Sequence, residues 1–69
     1  MKWAVCVANE DHPASLEVRK LYRVLADRKG EALGMVRVID ESGEDYLYPA
    51  SLFEAIAIAP PLERKLKRA

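Results

Sequence analysis

The chain has 69 residues, 51% of them hydrophobic, and its 11 basic residues balance its 11 acidic ones, so the formal net charge is zero. A chain of this length forms one domain with a modest core, and the neutral total gives no argument for a nucleic-acid or membrane partner. A single cysteine and a single histidine cannot make an internal disulfide or a four-ligand zinc site. We therefore expect no cofactor and no structural metal.

The sequence has no charged-then-apolar leader, and its longest uncharged run is far shorter than the roughly 20 residues of a membrane span. We expect no membrane partner and a cytoplasmic location.

The first predicted element is a strand over residues 3–8, where every position is apolar and no helix cap precedes the run. A continuous run of this kind predicts a strand that is covered on both faces. The following residues, 9–15, collect turn-forming side chains and Pro13, so a long loop begins here.

A second strand is predicted over residues 20–25, and it ends in a charged turn, residues 27–30, closed by glycine. A short helix over residues 14–21 is the alternative, because Ser15 could cap it. Tyr22 and Val24 continue a period of two that starts at Val18, and this favours the strand.

The clearest signal is a β-hairpin. Residues 35–40 and 44–48 are rich in strand-forming side chains and flank a short polar turn that contains Gly43. We predict antiparallel pairing across Ser42 and Gly43, with a positive φ at Gly43 and with Val36 and Val38 on the inward face. On the second arm, Tyr48 is expected to be buried, whereas Tyr46 lies near the turn.

After Pro49, residues 50–53 predict a single helical turn, and the apolar run over residues 53–58 predicts a last strand. The Pro60-Pro61 pair cannot continue a paired strand and suits the start of a helix. The sequence therefore divides into a domain over residues 1–59 and a basic tail over residues 60–69. A helix in this tail is too short to be stable alone, so it is ordered only if it docks.

This order of elements resembles the all-β, SH3-like barrel: five short strands, a long loop after the first, a tight hairpin between the third and fourth, and one helical turn before the fifth. Residues 14–24 resemble the return of the long loop, residues 34–38 the entry into the distal hairpin, and residues 48–53 the last strand, proline and helical turn. Residues 20–25 and 40–49 together resemble small uncharacterised bacterial proteins of this barrel type. That family has no assigned activity.

An SH3 domain binds proline-rich peptides between aromatic rings, and this sequence departs from that pattern. The first strand has Ala4-Val5-Cys6-Val7-Ala8 in place of a tyrosine-rich motif, and the second groove tyrosine is replaced by Leu52. Of the residues that form the peptide groove of an SH3 domain, only Pro49 is kept. We expect no proline-rich peptide ligand.

Two sets of residues raise the question of chemistry. Cys6 would need a base to act as a nucleophile, and His12 is conceivable, but a thiol between two valines is more often an inert core group. The acidic residues of the hairpin tip could hold a hard cation, but their spacing is not that of a calcium loop. These residues are Asp40, Glu41, Glu44 and Asp45. We therefore expect no enzymatic activity and a Cys6 that is buried and dispensable.

The surplus of apolar residues favours a protein partner or self-association, because the first and last strands are apolar on nearly both faces. The residues expected to form this surface follow the hairpin's second arm and the last strand: Leu47, Pro49, Leu52, Ile56 and Ile58. The alternative is a small barrel that binds nucleic acid through the basic tail. That alternative would use Arg64, Lys65, Lys67 and Arg68.

Overall fold

A computed structural model describes residues 3–68, with the side chain of Arg68 excepted. In chain order the elements are β1 (Trp3–Cys6), β2 (Leu21–Leu25), α1 (Arg28–Ala32), β3 (Met35–Ile39), β4 (Asp45–Pro49), a 3₁₀ turn (Ala50–Leu52), β5 (Phe53–Ala55) and α2 (Pro60–Arg68). The five strands form one antiparallel sheet in the order β4-β3-β2-β1-β5. The predicted all-β class is confirmed. The described sheet is open, with β4 and β5 at its two edges.

The sheet bends along β2, which is shared between two sets of pairings. Its first half pairs with β1, where Val5 lies opposite Leu21, and its second half pairs with β3, where Val24 lies opposite Val38. A strand that changes partners along its length forms a corner in the sheet. The corner turns the inner faces of the two halves toward a common core.

The core lies on this inner face. Because successive side chains of a strand point to opposite faces, every second residue is buried. The buried strand residues are Ala4, Cys6, Tyr22, Val24, Val36, Val38, Tyr48 and Phe53, and Leu16 and Leu52 join them from the long loop and the 3₁₀ turn. The predicted inward positions of Val36, Val38 and Tyr48 and the burial of Cys6 are confirmed.

The predicted hairpin is also confirmed. Strands β3 and β4 pair antiparallel, from Met35 opposite Pro49 to Ile39 opposite Asp45. Gly43, in the turn between them, has the expected positive φ, +84°. Within the turn, the carboxylate of Asp40 accepts from the backbone N–H of Ser42 at 2.9 Å. This side-chain bond satisfies a turn donor that has no strand partner.

Residues 27–30 do not form the predicted turn but begin helix α1, so that prediction is wrong. A glycine in mid-helix argues against helix formation from sequence alone. Here Asp27 caps the helix by accepting from the N–H of Gly30 at 2.8 Å, and its other oxygen accepts from Nε of Arg37 on β3 at 2.8 Å. The cap and the ion pair to β3 therefore stabilise α1, although the amino-acid composition of α1 does not favour a helix.

The long loop forms neither the alternative helix over residues 14–21 nor a strand at Val18, which lies in a turn. At its end the N–H of Arg19 donates to the C=O of Cys6 at 2.7 Å, and the N–H of Cys6 donates to the C=O of Lys20 at 2.9 Å. Two residues thus oppose one, with Arg19 at a φ of +71°. This is the geometry of a β-bulge whose first residue is left-handed, and β2 begins just after it.

The helix predicted in the C-terminal tail forms and spans Pro60–Arg68. It docks on the outer face of the sheet, where Nε1 of Trp3 donates to Oε2 of Glu63 at 3.2 Å, and Leu66 is half-buried. Neither α1 nor α2 has the length and apolar character that crossing a membrane would demand.

Candidate interaction surface

The outer face of β1 carries its odd-numbered residues, and the cover over them decreases along the strand. Trp3 is buried under α2, Val5 is half-buried, and Val7, just after the strand, is 48% exposed. The predicted cover on both faces of the first strand is therefore complete only at its N-terminal end. Apolar surface remains open at the other end.

Ile56, the residue after β5, is exposed on the same outer face at the Trp3 end of β1, and the exposed Glu54, opposite Val5, lies between it and Val7. The N–H of Ile56 donates to the C=O of Trp3 at 3.1 Å, so Ile56 continues the β1–β5 ladder by one position and lies beside Trp3 on the outer face. Its side chain is 41% exposed. We call Val5, Val7 and Ile56 the outer strip. Next to it, α2 leaves Leu62 46% exposed.

The free edge of β5 is the second feature of this surface. The backbone N–H of Val7 donates to the C=O of Leu52 at 2.8 Å, and the N–H of Ile56 donates to the C=O of Trp3. The even-numbered residues of β5 and its neighbours therefore make the hydrogen bonds to β1. In an antiparallel ladder the intervening residues point their N–H and C=O groups the other way. Ala55 therefore directs both backbone groups to the open edge.

The other edge of the sheet, β4, is protected at both of its ends. It starts at Asp45, beside the acidic turn, and ends at Pro49, which has no N–H to offer. Charge and proline are common devices that keep an edge strand from pairing with other chains. The β5 edge continues instead into Ile56, Ala57, Ile58 and Ala59.

The structure distributes the five residues predicted for the protein-binding surface among different environments. Ile56 belongs to the outer strip, and Ile58 is half-buried in the linker that follows. Pro49 is exposed at the end of β4, and Leu47 is half-buried on β4 beside Gly30 of α1. Leu52 is buried in the core. Ile56 and Ile58 thus lie in the segment that follows β5, whereas Leu47 and Pro49 lie on β4, at the other edge of the sheet.

The basic tail contains exposed cations and one cation in an ion pair. Arg64 and Lys65 are exposed, but Nζ of Lys67 lies 3.6 Å from a carboxylate oxygen of Glu63, one helical turn earlier. The side chain of Arg68 lies outside the described residues. Lys67 and Leu66 line the same groove as Asp40 and Glu41 of the hairpin turn. Carboxylates next to the helix weaken its attraction for a phosphate chain.

The aromatic side chains follow the prediction for the hairpin. Tyr48 is buried, with the ring of His12 packed edge-on against it at 4.9 Å between centroids. Tyr46 is 58% exposed and lies 5.1 Å from Tyr48. The His12 ring thus packs against the core tyrosine.

Cys6 is in the environment of a core thiol. Burial raises the pKa of this thiol, and Sγ donates to the C=O of Ala8 at 3.2 Å. The raised pKa favours the protonated thiol, which is not the nucleophile. Within residues 3–68, no group of three or more His, Cys, Asp or Glu side chains is arranged to hold a metal ion.

The acidic side chains at the start of the hairpin turn form hydrogen bonds to the hydroxyl groups of core tyrosines. Asp40 accepts from the hydroxyl of Tyr48 at 2.6 Å, and the adjacent Glu41 accepts from the hydroxyl of Tyr22 at 2.5 Å and from Nζ of Lys20 at 2.7 Å. The pKa of Asp40 is lowered by its bonds from Ser42 and Tyr48. The pKa of Glu41 is lowered by its bonds from Lys20 and Tyr22.

Sequence reasoning did not find Val7 or Leu62 as surface residues. Within an apolar run such as residues 3–8, the alternation that would reveal the outward positions is absent. The register of β1 against β2 reveals the outward positions of β1. Because Ala4 lies opposite the buried Tyr22, the odd-numbered residues point outward.

No family model matches the chain, and neither a curated protein nor a solved structure matches it.

Proposed function

We propose that this protein is a small non-enzymatic interaction module that binds protein, either a partner or a second copy, through the outer strip and the adjacent β5 edge. The observation that carries the proposal is that Ile56 is exposed beside Ala55, whose backbone groups point to the open edge, while Val7 is exposed on the same face at the other end of the β1–β5 ladder. Apolar surface and an open strand edge together favour a polypeptide ligand, since only another backbone can complete a strand ladder.

The fold that we propose for this module is the SH3-like barrel in an open form. The strand order β4-β3-β2-β1-β5, the bend in β2 and the 3₁₀ turn before β5 support this proposal. The surface proposed for binding omits Leu52, because a core residue cannot contact a partner without unfolding. Leu47 and Pro49 are left as a second, weaker patch on β4.

Nucleic-acid binding by the tail remains the alternative function. Exposed Arg64 and Lys65 support it, whereas the pairing of Lys67 with Glu63 and the nearby carboxylates of the hairpin argue against it. The protein-binding proposal accounts for more of the exposed apolar surface.

The test is site-specific photo-crosslinking in the source cell. A photoreactive amino acid replaces Ile56 in one variant and Leu33 in the control, which is 78% exposed and follows α1, away from the β5 edge. We expect a covalent adduct with a polypeptide from position 56 and none from position 33. Equal adducts at both positions, or none at position 56, would contradict the proposal.

Titration with single-stranded RNA and DNA tests the alternative. Binding through the tail should weaken steeply with salt, with a logarithmic slope of about 0.7 to 0.9 for each neutralised phosphate, and should be lost when the chain ends before Pro60. Association through the outer strip and the β5 edge should respond much less to salt, should not need the neutralisation of phosphates, and should be abolished by Ile56→Asp. A salt-sensitive, tail-dependent complex without an adduct at position 56 would replace our proposal by the alternative.

A further inference from the structure

We infer that the partner of the β5 edge is a second copy of this chain, paired antiparallel with the first about a two-fold axis at Ile56. The inference rests on the proposed function and specifies it further. Three observations lead to it: the direction of the backbone groups, the alternation of side chains after β5, and the placement of charges at the two ends of the edge.

The backbone groups set the register. Ala55 directs its N–H and C=O to the open edge, and continuation of the ladder beyond Ile56 would place Ala57 in the same orientation. With the axis at Ile56, Ala55 of one copy faces Ala57 of the other, and the two exchange both hydrogen bonds. Phe53 then faces Ala59, so all seven residues before α2 are matched.

The side chains in this segment alternate as in a strand. Ile56 and Ile58 alternate with Ala55, Ala57 and Ala59, but the strand ends at Ala55. Two-fold pairing would place the Ile56 side chains of the two copies against each other on the outer face. The small alanine side chains on the opposite face leave room for a second backbone to approach.

The charges at the two ends are complementary. The N-terminal end of the edge has Glu54, and its C-terminal end leads into α2 with Arg64 and Lys65 exposed. Among the described side chains, none forms an ion pair with any of these three. Antiparallel pairing brings the acidic end of each copy to the basic end of the other.

This register also keeps like charges apart. With the axis at Ile56, Glu54 lies opposite Ile58 of the other copy, and the two Glu54 side chains are separated by about four residues, roughly 13 Å. An axis at Ala55 would instead make the two glutamates diagonal neighbours at about 7–8 Å. An axis at Ala57 would match Phe53 to Pro61, which lies within α2.

A contact built on one short strand lies at the small end of interface sizes, below the roughly 1,200 Å² of stable complexes. We therefore expect a weak dimer that forms as the concentration rises. Sedimentation velocity of the full chain over a concentration series should show a monomer at low concentration and a dimer at high concentration.

The first variant tests the edge. Ala57→Pro removes the N–H that donates across the axis, and Ala57→Ser keeps it. We expect the sedimentation shift to be lost in the proline variant and kept in the serine variant, with the far-ultraviolet circular dichroism of both unchanged. A dimer that persists in Ala57→Pro would overturn the pairing.

The second test fixes the register and does not depend on the stability of the proline variant. In a non-hydrogen-bonded pair the Cα atoms are about 4.5 Å apart, within the disulfide range of about 4.4–6.8 Å. Ile56→Cys should therefore form a disulfide-linked dimer under mild oxidation. Ile58→Cys, with its two sulfurs roughly 13 Å apart, and the parent chain with buried Cys6 should not.

Equal crosslinking of Ile56→Cys and Ile58→Cys, or a chain that stays monomeric at all concentrations, would overturn the inference. A monomeric chain that still forms a photo-adduct with another protein at position 56 would leave the proposed function intact. The two failures are therefore distinguishable.

Discussion

The hydroxyl of Tyr22 donates to the carboxylate of Glu41 and accepts from the backbone N–H of Glu17 at 2.7 Å. One side chain on β2 thus joins the turn after β3 to the long loop before β2. The ring of Tyr22 is buried in the core, so this junction is anchored by apolar packing as well. The stability of the loop, the turn and the sheet should therefore be coupled.

The first prediction concerns this hydroxyl. Tyr22→Phe keeps the ring but removes the acceptor of the Glu17 N–H and leaves the Glu41 carboxylate with Lys20 alone. We expect a loss of about 1–2 kcal/mol in the free energy of unfolding, since the bond involves a charged acceptor that is partly open to water. Urea denaturation measures the change. Tyr46→Phe, which alters an exposed tyrosine, is the matched control and should stay within about 0.5 kcal/mol of the parent.

The second prediction concerns acid. In the folded chain the pKa of Asp40 and that of Glu41 are lowered, so each contributes stability above its unfolded pKa of roughly 4. This contribution is lost as the pH falls through the lower, folded pKa. We expect a fall in thermal midpoint from about pH 4 downward, and a shallower fall in Asp40→Asn and Glu41→Gln. An acid limb of unchanged steepness in both variants would contradict this assignment.

The third prediction concerns the bulge residue Arg19. A left-handed conformation costs a side-chain-bearing residue roughly 1–2 kcal/mol, whereas glycine adopts it freely but loses more entropy on folding. We expect Arg19→Gly to raise the free energy of unfolding by up to about 1 kcal/mol. Arg19→Ala keeps the strain and serves as the control, with no gain. Equal stability of the two variants would show that the bulge does not strain the chain.

The fourth prediction concerns Cys6. Because its thiol is buried and its pKa is raised, a thiol reagent should label the native chain slowly and the urea-unfolded chain rapidly. Cys6→Ala should cost on the order of 1 kcal/mol, as for a small cavity. Rapid labelling under native conditions would instead point to a reactive thiol.

The sheet could be predicted where local pattern and tertiary packing agree. Residues 35–48 alternate with period two around a glycine that the turn requires, and the two arms are neighbours in sequence, so no distant contact was needed to place Val36, Val38 and Tyr48 on the inward face. The position of the final 3₁₀ turn followed from Pro49 in the same way.

Helix α1 and the bulge could not be predicted, because each depends on contacts that are distant in sequence. Gly30 disfavours a helix, and the ion pair between Asp27 and Arg37 that supports it joins two elements. The bulge places an arginine where local preferences call for glycine, and only the ladder between Cys6 and residues 19–20 reveals it.

The candidate surface could be predicted in part. Ile56 was identified from the apolar surplus of the last strand, and it is exposed. Leu52 was assigned to the same surface as a neighbour of the last strand, but in the 3₁₀ turn its side chain is buried in the core. The backbone groups of Ala55 point to the open edge because the neighbouring residues make the hydrogen bonds to β1. The composition of the segment does not indicate which of its residues make those bonds.

The last prediction concerns the docking of α2 on the sheet. Trp3 is the only tryptophan of the chain, and its ring is buried beneath α2, with its N–H bonded to Glu63. Ending the chain after Ala59 should expose the indole, shift its fluorescence emission to longer wavelength and lower stability, because burial of an aromatic side chain is lost. Glu63→Ala in the full chain should produce a smaller loss, about 1 kcal/mol. The exposed Arg64→Ala is the matched control and should change neither the emission nor the free energy of unfolding by more than about 0.5 kcal/mol. Unchanged emission in the shortened chain would show that α2 does not cover Trp3 in solution.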